Sequence, residues 1–215
     1  ILLGLVGSEM CIRDSWIAVM RAQTELGVQI AEQEIEKSES VKGLVDLESI
    51  RKREQISKHD VKARLEEFAE KSGHQHAHKG MTSRDLTENV EQLQIHRSLG
   101  IIFDKSIAAL LALSKRADEF KDLPVTARSH NVPAQLTSLG KRFATWGEEL
   151  ERSVESLSRL IANYPYRGLK GAVGTRLDQV TLLGSAEKAE ELDRLVMSHL
   201  GATANFENVG QVYPR

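Results

Sequence analysis

Cysteine occurs once in the 215 residues, at Cys11, and proline only four times. A single thiol cannot build an internal disulfide framework, which fits a reducing cytoplasm. So few prolines leave room for long helices, and aromatics at 5% do not supply the Tyr, Phe and Trp of an extensive sheet. Neither sign of charge is in excess. With 29 basic and 31 acidic residues, the chain presents no field for nucleic acid or an anionic membrane. No run approaches the roughly 18 to 20 apolar residues that cross a bilayer. The opening Ile1-Leu2-Leu3-Gly4-Leu5-Val6-Gly7 is apolar but short, with no basic residue before it, so a signal peptide is not expected.

What the sequence does hold is helical periodicity. Apolar residues recur at helical spacing over 16–36 (Ile17, Val19, Met20, Leu26, Val28, Ile30), and short helical pieces are expected over 44–50. A firmer helix is expected over 60–71, stopped by Ser72-Gly73. A long helix is predicted from Arg84 to about residue 120, carrying Val90, Leu93, Leu99, Ile102, Phe103, Ile107, Leu110 and Leu113. A second is predicted to follow Pro133. Its stripe of Leu139, Phe143, Trp146, Leu150, Val154, Leu157 and Ile161 has near-heptad spacing, reads as core, and favours shallow-angle packing. A further amphipathic helix is expected over 186–200.

Three polar segments interrupt this pattern. The run His78-Lys79-Gly80-Met81-Thr82-Ser83-Arg84-Asp85 leads into the first long helix. Thr82 to Asp85 fits a capping box, which is the plain reading. The same helix start would also favour an anion, because its first N–H groups lack partners within the helix. The second segment is Arg128-Ser129-His130-Asn131-Val132-Pro133-Ala134-Gln135. His130 there is expected to be held near a helix start, where neutral imidazole can exchange a proton near physiological pH. The third is the glycine loop Gly168-Leu169-Lys170-Gly171-Ala172-Val173-Gly174-Thr175. It lacks the GxxxxGK[ST] order of a nucleotide P-loop, and no strand pattern precedes it. His74, His76 and His78 alternate, yet no cysteine or HExxH spacing accompanies them, so no metal site is expected.

Together with Lys58-His59-Asp60, these segments resemble the adenylosuccinate lyase branch of the fumarase/aspartase superfamily. The resemblance runs from about Trp16 to Arg215, and its specific parts are the TSxD and SH…PAQ segments. It implies an all-α fold: a small N-terminal helical domain over 16–80, then, over 81–215, the first long antiparallel helices of a fumarase/aspartase-type central bundle. Residues 1–15 match nothing in the family and are expected to be an unrelated leader.

The resemblance also implies roles. His130 would be the acid that protonates the departing nitrogen. Lys58 and His59 would contact a substrate phosphate and nearby groups, with Asp60 orienting His59 through its ring N–H. His78 would line the pocket, and Thr82 with Ser83 would bind a substrate carboxylate. Lys58 stands where some members carry arginine, keeping the charge without the bidentate fork. Arg176 stands where a substrate-contacting glutamine often follows the glycine loop. The implied reaction is β-elimination on a small nucleotide substrate, without metal or organic cofactor, in a cytoplasmic homotetramer whose sites combine several subunits. The proton-abstracting serine of such enzymes lies on a loop well beyond the segment matching Gln211-Val212-Tyr213, so the resemblance covers their front half. Two rivals remain at this point: a sister enzyme such as argininosuccinate lyase, and a helical interaction module without activity. A module would scatter His59, Thr82 and His130 in space, whereas in the tetramer the resemblance implies they converge, some of them only between subunits.

Overall fold

The computed structural model describes residues 2–201 and 210, with side chains from residue 7 onward; Gln211-Val212-Tyr213 lies outside the described residues. The order is α1 (Leu2–Glu25), α2 (Glu32–Val41), α3 (Leu47–Ser57), α4 (Asp60–Ser72), α5 (Ser83–Glu119), β1 (Pro124–Ser129), β2 (Val132–Ser138), α6 (Leu139–Ala162), α7 (Leu177–Leu183) and α8 (Ala186–His199). Helices dominate, as expected. The one sheet among the described residues is the β1–β2 pair. The chain forms two compact units, residues 1–95 with 165–215, and residues 96–164, so the division differs from the expected boundary at residue 80.

In the first unit, α1 is the central post. Trp16, Ile17, Ala18, Val19, Met20 and Ala22 are buried on successive faces, which a helix does only when neighbours surround it. Those neighbours include α2, α4 and α8. The Trp16 indole stacks on Phe68 of α4, with ring centroids 5.6 Å apart and planes 15° from parallel. From α8, Lys188 Nζ donates to the Leu26 carbonyl at 3.0 Å, and Leu192, Val196 and Met197 are buried. Residues 2–25 are one continuous helix, and Cys11, Ile12 and Arg13 lie in the core. Arg13 pairs with the buried Glu67 of α4 and donates to the Val41 carbonyl at 3.0 Å.

Local chemistry sets the helix ends. Asp46 caps α3 by accepting the Ser49 N–H at 3.0 Å, His59 caps α4, and Ser185 caps α8. Gly73 ends α4 at φ 78°, a left-handed conformation that glycine adopts without a Cβ clash.

The second unit is a helical hairpin with a β-hairpin at its end. Partner numbers run in opposite directions along it: Gly140 abuts Ala117 and Lys121, Gly147 faces Leu110 and Leu113, and His96 Nε2 meets the Ile161 carbonyl at 3.2 Å. The two long helices are therefore antiparallel. Gly140 permits the close approach, because a Cβ there would lie 2.6 Å from Lys121 Cα.

Residues 124–138 correct the sequence reading. The second long helix starts at Leu139, capped by Ser138, and not at Pro133. Before it, β1 and β2 pair antiparallel from Pro124↔Ser138 to Ser129↔Val132, with an irregularity between Thr126 and Arg128. His130 and Asn131 form the two-residue turn, with φ 49° and 64°, as hairpin twist demands. Pro133 sits in a strand of a two-stranded sheet, where a missing N–H is tolerated.

The stripe expected to be core in α6 is also different. Val154 is buried, but Trp146 is 52% exposed, and Leu139, Phe143, Leu150, Leu157 and Ile161 are only half-buried. Two helices cannot enclose an apolar seam between themselves and also cover their outer faces.

Candidate functional site

The first unit brings together most of the sequence-predicted residues. Lys58 closes α3 in a left-handed conformation, φ 55°, and His59 opens α4. This tight turn places the His59 ring against the start of α5, where Ser83 Oγ and His59 Nε2 stand 3.2 Å apart. The other ring nitrogen, Nδ1, accepts the Lys62 N–H at 3.2 Å. That contact corrects the expected role of Asp60. An Nδ1 that accepts from the backbone carries no proton to donate to a carboxylate. Asp60 instead pairs with Arg64 Nη1 at 3.0 Å, one helical turn on. The helix cap holds His59, and Asp60 Oδ1 lies 3.7 Å from the same ring nitrogen, beyond hydrogen-bond reach. Its tautomer then carries the proton on Nε2, facing the Ser83 hydroxyl.

His78 lies on the loop between α4 and α5, largely buried, with its Nδ1 3.1 Å from Trp16 Nε1. Burial pushes its pKa below the ordinary histidine range, against the Asp85 carboxylate, which raises it; His59 adds to the lowering. The neighbouring histidines are engaged separately. His74 Nε2 contacts Ser38 Oγ at 2.7 Å, and His76 Nε2 lies 3.2 Å from the Glu34 carboxylate while its Nδ1 meets Lys79 Nζ at 2.7 Å.

The loop is fixed from both sides. Gln23 Nε2 donates to the Lys79 carbonyl and Gln179 Nε2 to the Gly80 carbonyl, each at 2.8 Å. At its end, one half of the expected capping box forms: Thr82 N–H donates to Asp85 Oδ2 at 2.9 Å, while the Asp85 N–H donates to the Thr82 carbonyl at 3.0 Å. The Thr82 N–H is therefore spoken for. What the α5 start offers an anion is the two hydroxyls and the next N–H groups of the first turn.

Asp85 does more than cap. Its carboxylate also accepts the Lys170 N–H at 2.7 Å and the Gly171 N–H at 3.1 and 3.2 Å, and pairs with Arg167. Four residues on, Asn89 accepts the Gly168 N–H at 3.0 Å and donates to the Gly168 carbonyl at 2.9 Å. Gln92 accepts the Arg167 N–H at 2.7 Å. The glycine loop is thus threaded along one polar face of α5, with Arg167 to Gly171 buried. Sequence reasoning took Asp85 only as a helix cap and missed Asn89, Gln92 and the hold of all three on the loop. The available signal was that Asp85, Asn89 and Gln92 fall at i, i+4 and i+7, on the face that also carries the buried Leu86, Val90 and Leu93.

Asp193 of α8 holds the loop from the other side. It accepts the Leu169 N–H and pairs with Arg176 Nη2, both at 2.6 Å. Burial pushes its carboxyl above the usual range, opposed first by Arg176. Gly168 has φ 76°, and a Cβ there would lie 2.9 Å from Asp193 Oδ2, so only glycine fits. Arg176, in the position expected to deliver a glutamine, is committed to Asp193.

His130 belongs to the second unit. It sits exposed at the turn of the β-hairpin, not at a helix start, and its ring makes no hydrogen bond to a described residue. Arg128 Nη1 braces the turn by donating to the Asn131 carbonyl at 3.0 Å. No described helix is long and apolar enough to cross a membrane.

Comparison with known proteins agrees with this arrangement. The sequence pattern of a lyase family matches residues 9–208, so the match begins within the first fifteen residues. Adenylosuccinate lyase of Saccharomyces cerevisiae is 34% identical over 209 residues, covering 94% of this chain and 43% of that protein. Adenylosuccinate lyase of Methanocaldococcus jannaschii is 34% identical over 189 residues, covering 86% and 39%. The chain thus spans less than half the length of these relatives. Among solved structures, a fumarate lyase from Mesorhizobium sp. BNC1 superposes with a TM-score of 0.75 at 21% identity, over 92% of this chain and 46% of that one. The 3-carboxy-cis,cis-muconate lactonizing enzyme of Pseudomonas putida gives 0.73 at 20%, over 92% and 45%. These two share the fold. The protein belongs to the lyase family, and over most of its length it is similar to the adenylosuccinate lyases.

Proposed function

We propose that the protein, in its full-length form, cleaves adenylosuccinate to AMP and fumarate by β-elimination, and performs the analogous cleavage of the succinylated carboxamide ribotide of purine biosynthesis. The observation that carries this reading is the meeting of His59 with Ser83 at the α5 start, in a chain with adenylosuccinate lyase relatives. A base removes the proton next to a carboxylate, the C–N bond breaks as the C=C bond forms, and an acid protonates the leaving nitrogen.

Thr82 and Ser83 hold the substrate carboxylate, on which charge accumulates. Fixed hydroxyls and a helix start stabilise that charge without reorganising during the reaction. Lys58 and His59 take the phosphate and its surroundings, and Asp60 supports that turn through Arg64. His78 lines the pocket. His130 is the acid, and a serine outside these 215 residues is the base. An exposed ring on a hairpin turn suits a site assembled from several subunits.

A cytoplasmic homotetramer is the assembly we propose. In the second unit, Ile101, Ile102, Leu111 and Trp146 are all more than half exposed, an apolar surface of the kind that subunits cover. The test is direct. Purified full-length protein should release AMP and fumarate from adenylosuccinate and leave argininosuccinate intact; turnover of argininosuccinate alone overturns the assignment.

A further inference from the structure

We infer that Trp16 is a positioning residue that holds His78 in a single neutral tautomer, with its proton on Nε2, so that the ring donates a hydrogen bond to an oxyanion of the substrate. This rests on the reading that His78 lines the substrate pocket. Indole nitrogen is a donor only. At 3.1 Å from Nδ1, it requires a lone pair there, and a neutral imidazole with a lone pair on Nδ1 carries its proton on Nε2. Among the described residues, no hydrogen-bond acceptor occupies Nε2.

The indole cannot turn away. Trp16 is fully buried and stacked on Phe68, and its ring meets His78 edge-on at 87°. The histidine is equally fixed. Its backbone sits at φ 70°, unusual for a residue with a Cβ, and its carbonyl accepts the Met81 N–H at 3.2 Å. The two glutamine contacts clamp the next two residues.

Protonating the ring would set an Nδ1–H against the indole N–H, donor against donor. Burial and His59 oppose that charge as well, while Asp85 favours it. A ring so held is a poor proton carrier and a good fixed donor. Phosphate and carboxylate oxygens are acceptors that match it, which separates His78 in role from the exposed His130.

Nitrogen NMR of the 15N-histidine-labelled chain tests this, since the two ring nitrogens report which one carries the proton. The expected result is His78 wholly in the Nε2–H form in the parent chain and mixed in Trp16→Phe, which keeps the stack on Phe68. An Nδ1–H form or an even mixture in the parent chain overturns the inference, even if Trp16→Phe fails to fold. Inorganic phosphate and succinate, added in turn, should shift the His78 Nε2 resonance. A fixed tautomer with no response to either anion leaves the hold of Trp16 standing and overturns the placing of His78 in the pocket. In the full-length enzyme, Trp16→Phe should raise KM about three- to tenfold, the scale of one misaligned hydrogen bond, with kcat nearly unchanged. Equal loss of kcat in a folded variant overturns the donor role.

Discussion

Asp85 and Arg167 stand 82 residues apart in the sequence and form a buried ion pair at the start of α5. The same carboxylate takes the N–H of Thr82 on one side and those of Lys170 and Gly171 on the other. One side chain therefore sets where the proposed carboxylate-binding hydroxyls lie relative to the glycine loop.

Replacing Asp85 with Asn should be strongly destabilising. It removes the Asp85 charge from the buried pair with Arg167, and breaking a buried pair from one side costs about 3–5 kcal/mol. Asn89→Ala, which removes hydrogen bonds but strands no charge, should cost about 1–3 kcal/mol. Urea unfolding of both variants gives the comparison. An Asp85→Asn protein as stable as its parent would show that the carboxylate does not organise the loop.

Gly140→Ala should disrupt the junction of α5 with α6. The added Cβ would meet the Ala117 carbonyl and lie 2.6 Å from both the N and Cα of Lys121. Backbone cannot move aside as a flexible side chain can, so the cost should reach at least the roughly 1–3 kcal/mol typical of overpacking. Gly100→Ala, with open space around its Cβ, is the control and should be neutral or slightly stabilising in helix α5. Thermal melts followed by helical circular dichroism would rank the two.

Stability should fall on mild acidification. Burial lowers the pKa of both His78 and His74 below the ordinary histidine value. The unfolded chain therefore binds protons, from about pH 6.5 downward, that the folded chain refuses. The contribution is fully present above that pH and is lost as the pH falls. Urea midpoints measured between pH 7.5 and 5.5 should decline, and His78→Gln should flatten the decline. A slope unaltered by that substitution would place the titration elsewhere.

In the full-length enzyme, His130→Gln should lower kcat and kcat/KM together, by about 100- to 10,000-fold, the usual scale for general acid–base catalysis. The hairpin should survive, because an exposed turn residue buries nothing. Thr82→Ala should act differently and weaken substrate binding too, since its contact exists before the transition state. A raised KM with intact kcat in His130→Gln would make that histidine a binding residue.

The helices were legible because their signals are local. Apolar spacing predicted α5 to within a residue or two at each end, and Ser72-Gly73 marked the end of α4. The motif residues identified the family through the segment Thr82-Ser83-Arg84-Asp85 and the run from Ser129-His130 to Pro133-Ala134-Gln135, and the comparisons agree. The β-hairpin was not legible. Its strands are short and exposed, and the left-handed turn at His130-Asn131 carries no glycine to announce it. Nor could spacing show that the helix cap takes His59 Nδ1 and leaves Asp60 to Arg64.

Composition and periodicity were enough to determine a predominantly helical chain, since helical spacing follows from neighbours three or four residues apart. Tertiary structure alone decided that Asp85, Asn89 and Gln92 hold the buried glycine loop, that Arg176 serves Asp193, and that Trp16 faces His78 across 62 residues. Those contacts satisfy buried polar groups with partners far away in sequence, and only the folded path of the chain determines which partners meet.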